Sequence, residues 1–306
     1  MHYIPVRIGT LRAWEAVNFD IFIKIGERHV HYIKKSDPFD GDRIQSLKTK
    51  GVKKLFIPMD SENDYLNYLD SGLDHLKNAD LKIEDRAIIA KDSLVTSSEN
   101  ALKNVQTERG YKRTEGQIQK VLDFLTSEQG AMRQILSSSG VAQDTYQHSA
   151  NVVALSLNLA ARCGIKETQT LMNLGLAGLL HDAGKEELGI DTSIPREKMD
   201  LAQLTLYQQH CQRAAEKLQD KPYVTKQVLE LILNHEEVGE GAGFPSKKRL
   251  STLPKTQQIL NLCNEYDRVC TVSGVSPLDA VKQFYVEKLG MFDLELLKLF
   301  SESIRA

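Results

Sequence analysis

The stretch Leu174-Gly-Leu-Ala-Gly-Leu-Leu-His181-Asp182-Ala-Gly-Lys185 decides the fold of this chain. An apolar run of helical composition places an imidazole and a carboxylate side by side at His181 and Asp182, and Gly184 then breaks the helix. Both side chains bind first-row divalent ions, and one aspartate can bridge two ions because its carboxylate has two oxygens. The flanking glycines and Lys185 favour a metal site over the alternative, a buried histidine paired with a helix-end aspartate.

The composition is that of an ordinary globular protein. The 306 residues are 41% hydrophobic and 26% charged, which is enough chain for two modest domains. With 39 basic and 41 acidic residues the formal charge is -2, so no strong overall field favours DNA or an anionic membrane. The chain has no run of eighteen apolar residues and no signal-peptide pattern, which predicts a cytoplasmic protein. Its four cysteines lack C-x-x-C spacing and indicate reduced core thiols, of which Cys211 adjoins a candidate ligand.

The first 140 residues fall into two segments that differ in hydrophobic pattern. Residues 1–80 predict a small α+β domain, because alternating apolar residues typical of strands occur beside short helical patterns. Residues 81–140 carry apolar side chains at three- and four-residue steps among charges, which predicts a helical connector. Exposed apolar positions there would suit a homodimer or a protein signalling partner, although a plain amphipathic scaffold is the commoner meaning. The elements predicted in the first segment are strands at 19–25, 29–33 and 54–58 and helices at 42–50 and 65–69.

Helical periodicity continues through residues 141–306 without an internal repeat, a low-complexity tract or a phosphate-binding loop. We therefore predict a mainly α fold, in which a C-terminal helical bundle at 141–306 follows the small α+β domain and the connector. The predicted helices of the bundle begin near residues 144, 168, 201, 224, 253, 277 and 292.

Four of the eight histidines lie in this bundle, each at or near the end of a predicted helix. Taken alone, each would more often be a partly buried, hydrogen-bonded histidine. Their wide spacing suits ligands that converge from separate helices, and Asp182 adds a carboxylate to the set. Histidine and carboxylate ligands without cysteine fit iron or manganese better than structural zinc. The candidate metal ligands from this pattern are His148, His181, Asp182, His210 and His235.

The same ligands indicate phosphoester hydrolysis. Two ions bridged by Asp182 would lower the pKa of a shared water and polarise a phosphoryl group, which supplies a hydroxide nucleophile at neutral pH. Lys185 would neutralise a non-bridging phosphate oxygen. Asp182 and Lys185 are therefore the predicted catalytic residues. Asp144 and His148 are four apart and would lie on one helix face.

These motifs resemble the HD-GYP family, a branch of the HD-domain metal-dependent phosphohydrolases. The H-D-x-G-K element at 181–185 is typical of the superfamily, and the Gly-Ala-Gly-Phe-Pro element that ends at Pro245 is typical of the branch. The resemblance covers residues 141–306. It implies an HD-type helical bundle that hydrolyses cyclic di-GMP at a bi- or trinuclear centre. The expected cofactors are two divalent ions, iron or alternatively manganese, and the resemblance adds Asn264 to the metal ligands.

Several residues depart from the family pattern. Glu236 replaces the second histidine of the family's H-H-E motif, and Phe244 replaces the tyrosine of its G-Y-P motif. Asn264 stands where the family has a metal-binding aspartate, with Asp267 as the reserve ligand. An asparagine oxygen carries no charge, so the metal affinity at that position should fall. A two-metal centre is predicted, since Asp144 also replaces the glutamate of members with a third metal.

The predicted substrate-binding residues are Lys185, Phe244 and Lys247. The basic run Lys247-Lys248-Arg249 either contacts phosphate or forms a solvated loop. Phe244 lacks the hydroxyl of a tyrosine and should weaken activity without dismantling the fold. The leading hypothesis is a divergent cyclic di-GMP phosphodiesterase with a metal-activated bridging water. Its rivals are a weakly active or inactive cyclic di-GMP receptor and a hydrolase of another cyclic nucleotide.

Overall fold

The computed structural model describes residues 2–12, 14–37, 41–138, 144–192 and 194–305. The chain divides into two compact units, Met1–Leu81 and Lys82–Ala306. The mainly α prediction is confirmed, because helices dominate the described residues and one small sheet accompanies them. None of the described helices is long and apolar enough to cross a membrane.

The first unit is a four-stranded antiparallel sheet with two helices. The strands run in the order β1-β4-β2-β3, with Pro5 opposite Phe56 and Phe22 opposite both Phe56 and His31. The predicted hairpin and third strand are present, but the sequence prediction missed β1, a short strand that contains a proline. The elements are β1 Tyr3–Arg7, β2 Ile21–Ile25, β3 Arg28–Ile33, α1 Gly41–Thr49, β4 Lys54–Pro58 and α2 Glu62–Asp74.

The core of this unit lies between the sheet and its helices. Alternate strand residues point to one face because side chains alternate across a strand, and Ile21, Leu55 and Ile57 are completely buried there. They pack with the inward residues of the helices, among them Leu47 and Leu69. The alternating apolar pattern of the sequence thus corresponds to a one-sided sheet.

The second unit is a helical bundle. Its long helices α3, α5 and α13 pack around α7 and α8. Side-chain caps mark several helix starts, since Asp144 accepts a hydrogen bond from the Gln147 backbone amide and Thr225 accepts one from Val228. The helices are α3 Ile83–Glu99, α4 Ala101–Asn104, α5 Glu108–Ser127, α6 Ala131–Ser137, α7 Thr145–Arg162, α8 Thr168–Leu180, α9 Ala183–Glu187, α10 Leu201–Tyr207, α11 His210–Glu216, α12 Lys226–Leu233, α13 Lys255–Ser273, α14 Pro277–Glu287 and α15 Leu294–Arg305.

The helices predicted as a connector pack within the second unit. Helix α3 packs on α6 and α7, and α5 packs on α7 and α8. Ala87, Leu94, Ile118 and Val121 are almost fully buried in these contacts, so the apolar stripes of α3 and α5 form part of the bundle core. The end of the predicted connector, residues 139–143, lies outside the described residues.

Two glycines let the helices that carry the central motif approach one another. A Cβ at Gly178 would lie 2.9 Å from a methyl carbon of Val153, so α8 can pack this closely on α7 only without a side chain there. A Cβ at Gly184 would overlap the carbonyl oxygen of His210, so α9 lies directly against the start of α11. These close approaches bring the His181-Asp182 pair next to ligands on α7 and α11.

Candidate metal centre

Four histidines and Asp182 meet in the interior of the second unit. His148 lies in the first turn of α7, and the His181-Asp182 pair lies between α8 and α9. His210 begins α11, and His235 follows α12 by two residues. All five side chains are buried, and His181 and His210 have no exposed surface. The structure thus brings together all five ligands predicted from the motifs.

Hydrogen bonds set the protonation of three of these imidazoles. Nδ1 of His181 lies 2.9 Å from the carbonyl oxygen of Gly178, and Nδ1 of His235 lies 2.6 Å from that of Ile232. Nδ1 of His210 lies 2.5 Å from the carbonyl of Tyr207. A carbonyl only accepts, so Nδ1 carries the proton and Nε2 of each neutral ring presents a lone pair.

These Nε2 atoms face one another at short range. Nε2 of His210 lies 3.0 Å from Nε2 of His235, and Nε2 of His148 lies 3.2 Å from Nε2 of His181. In the neutral forms of His210 and His235 neither Nε2 has a proton to donate, so this first pair cannot hydrogen-bond. A cation between them would turn the repulsion of their lone pairs into two coordinate bonds.

The carboxylate of Asp182 lies at the centre of the cluster. Its Oδ1 is 3.4 Å, 3.5 Å and 3.7 Å from the Nε2 atoms of His210, His181 and His235. Oδ1 is buried and has no hydrogen-bond partner among the described residues, whereas Oδ2 accepts a 2.7 Å hydrogen bond from Lys185. An unpaired buried carboxylate oxygen is costly in a protein interior. Together with the facing nitrogens, this unpaired oxygen fits a divalent cation.

The electrostatics give Asp182, His181 and His235 the protonation that a metal ligand needs. Burial opposes the charge on Asp182, but the nearby His181 and Lys185 outweigh it and hold the pKa of that carboxyl well below its usual value. Burial lowers the pKa of His181 to about 4 and that of His235 well below 6.5. At neutral pH the aspartate is charged and these two imidazoles are neutral, which is the form that binds metal.

His148 differs from the others because a carboxylate holds it. Its Nδ1 lies 2.7 Å from Oδ2 of Asp267, whose Oδ1 accepts a 2.8 Å hydrogen bond from Asn151. Burial lowers the pKa of His148, but the hydrogen bond and charge of Asp267 outweigh it and raise the pKa overall. Nε2 of His148 lies 3.0 Å from Oδ1 of Asn264, so Asn264 is within the cluster. Asp267, the reserve ligand, bonds the opposite nitrogen of the ring and orients His148.

The ligand atoms form two groups, each with all members within 4.8 Å of one another. One contains His148, His181 and Asp182, and the other contains His210, Cys211 and His235. Cys211 Sγ lies 3.7 Å from Nε2 of His210, the candidate ligand that it adjoins in the sequence. Burial, with the charges of Glu236 and Asp182, raises the pKa of the Cys211 thiol well above 9, which keeps it protonated. Asp182 belongs to the first group, and its Oδ1 also lies 3.4 Å and 3.7 Å from Nε2 of His210 and His235 in the second.

The residues that depart from the family motifs occupy definite places. The Glu236 carboxylate is buried and accepts 2.9 Å hydrogen bonds from Tyr207 and Arg196. Burial would raise its pKa, but the charges of His235 and Arg196 outweigh burial and lower it to about 2. Phe244 is buried beside Tyr207 and His210, with ring centroids 5.9 Å and 6.0 Å away. It lines neither of the cavities at the cluster.

The basic run after Pro245 lines neither cavity beside Asp182 and Lys185. Lys247 is exposed, and Lys248 and Arg249 contact Asn234 and Glu240 respectively. None of the three lines a cavity at the cluster among the described residues. The structure therefore does not bring Lys247, predicted as a substrate-binding residue, next to Lys185.

Two cavities open beside Asp182 and Lys185. The first, of about 110 Å³, is lined by His148 and by two arginines that the sequence reasoning missed, Arg196 and Arg268. Its other walls are largely apolar, with Ile190, Ile194, Pro195, Met199 and Val272. The second, of about 310 Å³, also reaches Asp182 and Lys185 and extends to Ser98 and Glu99 at the end of α3. No motif includes Arg196, so the sequence carried no signal for it. Arg268 directly follows Asp267, the last residue of a matched motif, and that position was the signal that could have indicated it.

An HD domain family model matches residues 130–282, which is half of the chain. The chain therefore belongs to the HD-domain family. Within it, the motifs and the relatives place the chain in the HD-GYP branch, as predicted.

Two relatives illustrate this placement. A cyclic di-GMP phosphodiesterase of Pseudomonas aeruginosa strain PAO1 is 28% identical over 167 residues, which cover 52% of this chain and 39% of that protein. The solved structure of an HDG"Y"P protein from Bdellovibrio bacteriovorus superposes with a TM-score of 0.83 at 26% identity, and the match covers the whole of both chains. The chain thus matches about two fifths of the length of the curated relative and all of the solved structure.

Proposed function

We propose that this protein is a metal-dependent phosphohydrolase that cleaves a phosphodiester bond of cyclic di-GMP. The observation that supports it best is the unpaired Oδ1 of Asp182 among unprotonated imidazole nitrogens. That arrangement is unfavourable without cations and favourable with them. The substrate is proposed from the relative in Pseudomonas aeruginosa, which is a cyclic di-GMP phosphodiesterase.

The proposed centre holds two divalent ions, iron or alternatively manganese. One would be bound by His148 and His181, with Asn264 beside them, and the other by His210 and His235. Asp182 would contribute to both, since its Oδ1 lies within 3.7 Å of nitrogens from both groups. When bound, such ions polarise a phosphoryl group and supply a water nucleophile at neutral pH.

The remaining groups would contact the substrate or orient a metal ligand. The ammonium of Lys185 lies 2.7 Å from Oδ2 of Asp182 and lines both cavities, so it is placed to contact a phosphate oxygen beside the centre. The apolar wall of the smaller cavity, which includes Ile194 and Met199, offers a surface for a nucleobase. Asp267 keeps the His148 ring in its ligand orientation.

A second candidate function is a cyclic di-GMP receptor with little or no turnover. Asn264 places a neutral amide where a carboxylate would strengthen metal binding, and Phe244 contributes only packing. Both features would weaken catalysis more than they would lower the stability of the fold. The receptor and the enzyme differ in turnover, which is directly measurable.

The decisive experiment is anaerobic incubation of iron- or manganese-loaded protein with cyclic di-GMP, with products identified by mass spectrometry. The matched control is Asp182→Ala. Hydrolysis that the variant lacks supports the enzyme, and tight binding without products supports the receptor. If the fully metal-loaded protein neither binds nor hydrolyses cyclic di-GMP, both the enzyme and the receptor proposals are contradicted.

A panel of other cyclic nucleotides, tested in the same way, addresses the remaining substrate alternative. If the protein hydrolyses another cyclic nucleotide of the panel faster, that nucleotide would replace cyclic di-GMP as the proposed substrate. A homodimer, a protein signalling partner and a cytoplasmic location stay predictions, as do the absence of DNA and membrane partners.

A further inference from the structure

Arg196 lies on the wall of the smaller cavity, in the same pocket as Asp182 and Lys185. One edge of its guanidinium donates a 2.9 Å hydrogen bond to Oε2 of Glu236. Its side chain is 27% exposed, whereas that of Glu236 is 3% exposed, so the carboxylate anchors the arginine from the protein side. The arginine is therefore held on one edge and open to the cavity.

Among the residues that the structure describes, most of the donors of Arg196 have no hydrogen-bond partner. Its Nη2 lies 3.8 Å from Glu265 and its Nε lies 3.9 Å from Glu197, both too long for direct hydrogen bonds. A guanidinium has five N–H donors in a planar fork, so it can serve a carboxylate on one edge and another anion on the next. The hydrogen bond to Glu236 uses one of the five.

Neighbouring charges keep this arrangement in place. Tyr207 donates a 2.9 Å hydrogen bond to the other oxygen of Glu236, which fixes the carboxylate from a second direction. Arg268 donates two hydrogen bonds, of 2.8 Å and 2.9 Å, to Glu265, and Lys288 donates a third, of 2.7 Å. Glu265 is thereby engaged by other cations, which explains its long contact to Arg196.

We propose that Arg196 forms an anion-binding subsite for a phosphate oxygen of the substrate and that Glu236 is its positioning residue. The inference rests on the proposed function for the identity of the substrate, but the subsite itself requires only a phosphate group. It gives Glu236 a role in the place of the family's second histidine. It also assigns phosphate contact to a cavity residue in place of the exposed Lys247.

The first test measures the affinity of full-length, manganese-loaded protein for inorganic phosphate by competition or calorimetry. The variants are Arg196→Gln and Arg196→Lys, and the matched control is Arg249→Gln, which changes an exposed arginine that is also paired with a glutamate. Metal content and circular dichroism are recorded for every variant, so that a loss of metal or of fold is recognised.

We expect Arg196→Gln to weaken phosphate binding about ten- to hundredfold, which is typical for a lost hydrogen bond between charged groups. Arg196→Lys should recover part of the affinity, because it restores the charge without the fork. Arg249→Gln should bind as the wild type does. Equal phosphate affinity of the wild type and Arg196→Gln, or no phosphate binding by the wild type, would overturn the subsite.

The second test repeats the comparison with cyclic di-GMP and separates KM from kcat where turnover occurs. We expect Arg196→Gln to raise KM, or Kd for a receptor, by the same factor and to leave the metal content unchanged. If the wild type neither binds nor hydrolyses cyclic di-GMP but Arg196→Gln binds phosphate more weakly than the wild type, the proposed function fails and the subsite stands. If the wild type hydrolyses cyclic di-GMP and Arg196→Gln has the same KM and the same phosphate affinity, the subsite fails and the proposed function stands.

The role of Glu236 has its own variant. Glu236→Gln keeps the size of the side chain but removes the charge that holds Arg196, so phosphate binding should weaken in the same direction as in Arg196→Gln. The double variant should be no weaker than Arg196→Gln alone, since the two residues act as one unit. Additive losses would show that Glu236 acts independently of Arg196 and would overturn its positioning role.

Discussion

The Nε2 atoms of His210 and His235 lie 3.0 Å apart, and Nδ1 of each ring donates to a backbone carbonyl, so in the neutral forms both Nε2 atoms present lone pairs. Two nitrogen lone pairs are thus held against each other in a fully buried site. The backbone enforces this arrangement, since each carbonyl belongs to the residue three positions before its histidine. The fold itself therefore prepares the site for a cation.

Metal removal should lower the stability of the second unit. A ligand at a thousandfold excess over its dissociation constant stabilises the native state by about 4 kcal/mol. We expect the thermal midpoint of manganese-loaded protein to fall by several degrees in a chelator such as EDTA. The midpoint of Asp182→Ala should not respond to the chelator. Identical midpoints for the wild type with manganese and with EDTA would argue against a bound metal.

Asn264→Asp should tighten metal binding. Oδ1 of Asn264 lies 3.0 Å from Nε2 of His148, so a carboxylate there would place a negative charge beside the same ligand group. We expect the metal dissociation constant to fall about tenfold, the scale on which groups around a metal site alter affinity. Competition with a fluorescent chelator measures it. Asn173→Asp, the same change at a buried asparagine bonded to Gln227, is the control, and an unaltered constant in Asn264→Asp would count against this role.

Phe244→Ala should reduce stability and leave substrate binding largely intact. The ring packs on Tyr207 and Cys211 and lines neither cavity, so its loss creates a void worth about 3 kcal/mol in the free energy of unfolding. Urea denaturation measures that loss, and KM for cyclic di-GMP should change less than about threefold. Lys247→Ala should alter neither quantity. A large rise in KM at unchanged stability would instead favour the original prediction that Phe244 binds substrate.

The buried Lys91 on α3 should make stability depend on pH. Its ammonium donates a 2.8 Å hydrogen bond to the carbonyl of Ser138, and burial lowers its pKa from 10.5 to about 8, against the opposing charge of Asp92. Between pH 8 and 10.5 the unfolded chain binds more protons than the native chain, so the free energy of unfolding rises with pH. The contribution is about 2 kcal/mol between pH 8 and 9.5.

Lys91→Met removes this titration, so between pH 8 and 9.5 the free energy of unfolding of the variant should gain about 2 kcal/mol less than that of the wild type. Urea denaturation at pH 8 and at pH 9.5 measures both proteins. A common slope for the two would show that Lys91 is not desolvated in the native state.

Much of the candidate site was accessible from the sequence. The central motif, the four histidines of the bundle and the residues that depart from the family pattern were all identifiable, because metal ligands are restricted to few residue types. The helical periodicity of residues 141–306 predicted a bundle for the same local reason. The first strand, Tyr3–Arg7, was missed because five residues that include a proline carry little periodic signal.

Local pattern by itself predicted a mainly helical chain, and the resemblance of its motifs to the HD-GYP family marked His181-Asp182 as the core of a candidate metal centre. Only the tertiary structure decided which nitrogen of each histidine faces the centre, that Asp267 orients His148, and that Phe244 packs behind the site. It also placed Arg196, distant in sequence from every other member, beside Glu236. The physical reason is that residue type limits which atoms can bind a metal, whereas contacts between separate helices decide where those atoms point.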